Sequence, residues 1–133
     1  VVLSSLPNCV LKDEQDFYQG DVTRKGIGFA DSEALSFKSD KDTVTVYLQA
    51  WNGVILKIEF IDYLCFFNLN TQYISDLCEN STGDLLQKVL DRHYQEIPFD
   101  HGYKLYQFID ISDDPVTEIV CKNLLITDVK DYP

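Results

Sequence analysis

Residues 43 to 61, T-V-T-V-Y-L-Q-A-W-N-G-V-I-L-K-I-E-F-I, leave the chain little conformational choice. Val44, Val46, Leu48 and Ala50 alternate with Thr43, Thr45, Tyr47 and Gln49. Beyond the turn, Val54, Leu56, Ile58 and Phe60 alternate with Ile55, Lys57, Glu59 and Ile61. A period of two belongs to a strand with one buried face, so this stretch reads as a hairpin. Loop length sets its register. A two-residue Asn-Gly loop pairs Leu48 with Lys57 and Val46 with Glu59, which puts charge on the apolar face. A three-residue loop, Trp51-Asn52-Gly53, instead pairs Ala50 with Val54, Leu48 with Leu56, Val46 with Ile58 and Val44 with Phe60. The opposite face then joins Tyr47 to Lys57 and Thr45 to Glu59. A slip of one residue turns every side chain over, so the pattern selects the three-residue loop. Such loops end on a left-handed residue, a conformation Gly53 adopts without steric cost. The chain's one tryptophan therefore stands in a loop, outside the paired core.

The rest of the chain supplies further elements. Val1 to Leu3 and Cys9 to Leu11 read as short strands, with a turn at Gly20-Asp21 and another strand at Ala34 to Phe37. A helix is expected from Thr71 to Glu79, with Tyr73, Ile74, Leu77 and Cys78 on one side. A second follows, capped by Ser81, with Asp84 in the first turn and an apolar stripe of Leu85, Leu86, Val89, Leu90 and Tyr94. Pro98 stops it by about Ile97. Strands return at Tyr103 to Ile111 and Val116 to Leu124, joined by S-D-D-P. The order of strands, helices and strands predicts one α+β domain over residues 1–133: an antiparallel sheet built from hairpins, with two central helices on one face.

Charge narrows the partners. Twenty-two acids against eleven bases leave a formal net charge of -11. That surface repels nucleic acid and anionic lipid and attracts a basic protein. The longest apolar run, Y-L-C-F-F-N-L, is too short to span a bilayer, and the N-terminus lacks the basic and apolar regions of a signal peptide. Cys9, Cys65, Cys78 and Cys121 form no C-x-x-C pair. Cys65, Cys78 and Cys121, in apolar surroundings, are expected as reduced core thiols in a cytoplasmic protein, with two disulfides the alternative.

No stretch carries a catalytic or cofactor signature. Asp110, Asp113, Asp114 and Glu118 form an acid-rich segment, but without calcium-loop spacing it reads as a solvated hairpin turn before Pro115. Glu118 and Lys122 stand four apart, which departs from the restriction-nuclease pattern of an acid two residues before a lysine. Gly26-Ile27-Gly28 is a lone G-x-G, and His93 and His101 lack a motif partner. Neither a metal nor a cofactor is expected. Tyr47 and Trp51, off the apolar face, are candidate binding anchors, since aromatics are enriched at interface hot spots. The rival reading folds the Trp51 ring back over Ile55.

A short acidic chain with a V-x-V-x-L-x-A-W-N-G hairpin, a central helix and a late Y-Q-F-I-D strand resembles small bacterial immunity proteins. The resemblance implies a non-enzymatic inhibitor that binds a basic toxin and masks its active site. On that footing Asp110, Asp113, Asp114 and Glu118 would steer the encounter, and Trp51 would anchor it. Two other classes stay open: a small enzyme with a carboxylate or Cys-His site, and a self-associating domain whose sheet edges pair between copies.

Overall fold

The computed structural model describes residues 31–69 and 72–133. The strands expected at Val1 to Leu3 and Cys9 to Leu11 and the turn at Gly20-Asp21 lie outside the described residues. The described residues form nine strands and one helix in order: β1 Ser32–Ser39, β2 Thr43–Gln49, β3 Ile55–Ile61, β4 Cys65–Asn68, β5 Tyr73–Ile74, β6 Asp76–Asn80, α1 Asp84–His93, β7 Lys104–Ile109, β8 Pro115–Cys121 and β9 Asn123–Val129. They build a five-stranded sheet, β5-β1-β2-β3-β9, and a four-stranded sheet, β4-β8-β7-β6.

The hairpin register is the one the alternation selects. Val44 faces Phe60, Val46 faces Ile58 and Leu48 faces Leu56, while Tyr47 meets Lys57 on the other face. The Ala50 N–H donates to the Val54 carbonyl at 2.8 Å, and Gly53 sits at φ 90°.

Three runs of chain pass from one sheet to the other. β3 bends into β4 at residues 62–64, β8 into β9 at Lys122, and β5 into β6 at Ser75. Hydrogen bonds hold these corners: Lys122 N–H to the Ile61 carbonyl at 3.2 Å, Leu64 N–H to Val120 at 2.8 Å, and Ser75 N–H to Ile109 at 2.8 Å. Taken as continuous strands, the order β1, β2, β3–β4, β8–β9, β7, β5–β6 returns to β1, because β5 pairs with β1 through Ser32↔Ile74 and Glu33↔Tyr73. The pairing closes on itself through these corners, while β4, β6 and β9 each pair on one side only among the described residues.

One hydrophobic cluster fills the interior, fed by every strand. Phe60 packs at 5.9 Å against Phe108, edge to face, and at 5.7 Å against Tyr106. Phe37 reaches Phe66 and Phe108, each at 6.3 Å. These rings join the two sheets across the core. The Tyr106 hydroxyl donates to Glu79 at 3.1 Å, so its buried polar end is satisfied.

Several expectations are corrected. Among the described residues the fold is mostly antiparallel β with one short helix, not an α+β sheet with two central helices. The segment read as the first helix is strand from Tyr73 onward. Leu77 turns into the core and Cys78 to the opposite face, and both are fully buried. With both faces covered, the period of two vanishes from the sequence, and adjacent apolar residues imitate a helical face. The strand read through to Leu124 breaks at Lys122 and resumes as β9, and β4 lies inside the Y-L-C-F-F-N-L run. The surviving helix, α1, starts at Gly83 with no side-chain cap in place of the expected Ser81, and ends at His93, where Tyr94 turns extended. Leu86 and Leu90 press it onto Tyr103, Leu105 and Val120, outside the barrel wall.

Phe108 has no exposed surface and Phe99 is 98% exposed. Phe108→Ala should therefore cost about 3–5 kcal/mol in denaturant unfolding, while Phe99→Ala should stay within about 0.5 kcal/mol. Burial pushes the Cys121 thiol up to about 12. A thiol whose folded value lies above its unfolded value stabilises fully below the unfolded value, and that contribution fades as pH rises toward the folded one. The melting temperature should thus fall above about pH 9, and less steeply in Cys121→Val, which removes this titration.

Candidate functional site

The β2–β3 loop is built to hold Trp51 outward. The Gly53 N–H donates to the Ala50 carbonyl at 2.9 Å, and the Val54 N–H donates to Asn52 Oδ1 at 3.1 Å. The loop is thereby fixed at both ends, and the Trp51 ring is 64% exposed. A ring folded over Ile55 would not leave that much surface in water. Tyr47 lies on the outer face of the five-stranded sheet, where Tyr132 meets it edge to face at 5.4 Å.

The β7–β8 turn repeats this architecture. The Asp110 N–H donates to Asp114 at 3.0 Å, and the Asp113 N–H donates to Asp110 at 3.0 Å, with Asp113 at φ 65° in the place Gly53 takes in the first loop. Asp110 Oδ1 also accepts the N–H groups of Ser112 at 2.9 Å and Asp114 at 3.0 Å. Its carboxylate therefore shapes the turn, and Asp113 and Asp114 project from it into solvent. The first residue of each loop is a large exposed apolar side chain, Trp51 in one and Ile111, 89% exposed, in the other. Ile111 escapes sequence reasoning, because S-D-D-P draws attention to the acids beside it.

Glu118 does not join that turn. It lies on the outer face of β8 between Phe67 and Gln107, and accepts from Gln107 Nε2 at 2.7 Å. Asn80 Nδ2 donates in turn to Gln107 at 3.1 Å. The six candidate anchors thus divide: Trp51 and Tyr47 belong to the five-stranded sheet, and Asp110, Asp113, Asp114 and Glu118 to the four-stranded sheet and its turn. Among the described residues no group of three or more His, Cys, Asp or Glu side chains is placed to hold a metal ion.

Both histidines converge on one tyrosine. His101 stacks on Tyr103 at 6.2 Å and its Nδ1 accepts the Tyr103 N–H at 2.9 Å, while His93 meets the same ring at 5.8 Å. Lys122 Nζ lies 5.0 Å from the ring centroid. The cluster pins the segment after α1 to the barrel wall. Cys65 and His93 line a common groove. Burial and the nearby Glu118 push the Cys65 thiol up, which favours a neutral thiol over a nucleophilic thiolate. Cys65, Cys78 and Cys121 all carry free thiols.

That groove, about 590 Å³, runs between β4 and α1, with Leu64, Cys65, Phe67, Leu85 and Val89 along it and Lys88, Arg92 and His93 beside them. A second, more polar hollow of about 520 Å³ lies at the N-terminus of α1, by Asn80, Gln107, Glu118 and Lys88. The helix stripe carried the signal for the groove. Leu85, Leu86, Val89, Leu90 and Tyr94 span more of the helix than one contact requires, and only Leu86 and Leu90 are fully covered by the sheet.

The described residues form an antiparallel β-barrel with a single helix laid on its wall. No protein-family model matches the chain, and no curated protein or solved structure matches it. Among the described residues no helix is long and apolar enough to cross a membrane.

Trp51 is the only indole, so its emission reports one position. Acrylamide should quench it about as efficiently as a free indole, and a strongly protected signal would mean that the ring folds back on the hairpin.

Proposed function

We propose that this chain is a non-enzymatic protein-binding domain of the immunity type, which binds a basic toxin domain and neutralises it in the cytoplasm. The exposed Trp51 on its braced loop carries the reading. Placing a large aromatic side chain in water loses the free energy of its burial, a loss that binding recovers. A loop already fixed in shape also gives up little entropy when a partner closes over it. Tyr47 and Tyr132 form an aromatic pair on the outer face of the same sheet. The charge of -11 supports a basic partner, and Asp113 and Asp114 stand free to steer it. Free thiols agree with a reducing compartment.

Co-expression with the product of the adjacent gene tests this. That product should arrest growth alone, and this chain should relieve the arrest by binding it directly; no arrest, or relief without binding, removes the inhibitor reading. In the complex, Trp51→Ala should cost more than about 2 kcal/mol of affinity while stability stays within about 0.5 kcal/mol. Asp113→Asn with Asp114→Asn should slow association and flatten its salt dependence, with little change in dissociation.

A further inference from the structure

The groove between β4 and α1 has a character opposite to the rest of the surface. Phe67 is 56% exposed at one side of it, and Leu85 and Val89 are only partly covered on the other. Lys88 and Arg92 are both exposed on the helix wall, and among the described residues neither has a carboxylate within ion-pair distance. Acids outnumber bases two to one in this chain, so two adjacent unpaired cations against an apolar slot mark a local reversal of sign. The occupant that complements such a slot is apolar on one side and anionic on the other.

Spacing selects among such occupants. Lys88 and Arg92 are four residues apart on a helix, about 6 Å along its axis. Two carboxylates at alternate positions of an extended peptide are about 6.6 Å apart. The stretch from Leu85 to Arg92 covers about 10 Å, room for roughly three extended residues. A single-headed fatty acid would satisfy one cation and leave the other unpaired. A helix would present its acids on a wider stripe than so short a slot receives. We infer that the β4–α1 groove docks an extended acidic segment of a partner protein, of the pattern acid–apolar–acid, whose apolar side chain packs against Phe67, Leu85 and Val89 while its carboxylates pair with Lys88 and Arg92. This surface is separate from the Trp51 loop and does not rest on the toxin reading.

The probe is a short, capped, fluorescein-labelled peptide alternating Glu with Val, titrated with the full chain and followed by anisotropy at low salt. Its partner peptide alternates Lys with Val. Net charge alone favours the basic peptide everywhere on this protein, so saturable binding of the acidic one reports the groove. Lys88→Glu with Arg92→Glu should weaken the acidic peptide by about tenfold or more. Phe67→Ser should weaken it as well, and Trp51→Ala should leave it unchanged. All four positions are exposed or at the rim, and a matching melting temperature confirms that each variant is folded. The proposal is overturned if the basic peptide binds as tightly, or if the charge reversal leaves affinity unchanged. It is also overturned if decanoate binds the groove while the acidic peptide does not, or if sedimentation shows a dimer that the charge reversal dissolves, which would make a second copy the occupant.

Discussion

The edge-to-face contact between Phe60 and Phe108 is the hinge of this architecture. Phe60 belongs to the five-stranded sheet and Phe108 to the four-stranded one, and neither ring has any surface in water. Each sheet alone would expose an apolar face. Bringing the faces together requires the chain to cross between them, and it does so at residues 62–64, Ser75 and Lys122. The corners are thus a consequence of the aromatic core, and ring closure is a consequence of the corners. The helix contributes nothing to that interior. Leu86 and Leu90 seal the outside of the wall, so α1 is free to present its remaining face to other molecules.

Closure also accounts for where function can be carried. With the apolar residues of every strand gathered into one core, the loops and the outer face are what is left to meet other molecules. Two tight loops of the same geometry each raise one apolar side chain, Trp51 and Ile111, on a rigid support. The α1 side offers something different, a slot with cations along one lip. A small acidic chain thereby carries two surfaces with different charge and different shape.

How far the sequence revealed this depends on which faces water can see. The β2–β3 hairpin was legible down to its register because one of its faces is polar, so the alternation survives in the residues. β6 was not, because Leu77 and Cys78 are buried on opposite faces and the alternation is erased. β4 was hidden for another reason, because its Cys65-Phe66-Phe67 run is apolar on both faces although Phe67 stays exposed. Loop chemistry was readable where glycine announced it, at Gly53, and less so where Asp113 takes the same left-handed conformation. The position of Trp51 followed from the register alone. The groove did not, because it is made by residues far apart in sequence, and its sole trace was a helix stripe wider than its contact.

The ladder between β3 and β9 has a consequence for how the molecule is made. Ile55 pairs with Val129, and Ile61 with Asn123, so the β2–β3 hairpin waits for partners made well after it. Loop-closure entropy makes such distant pairings slow. While β9 is still within the ribosome, the outer edge of β3 lacks its neighbour and the half-built core cannot be sealed. The nascent chain is therefore exposed to aggregation until residues 123–129 have emerged, and changes that speed their release act on yield without touching the stability of the finished fold.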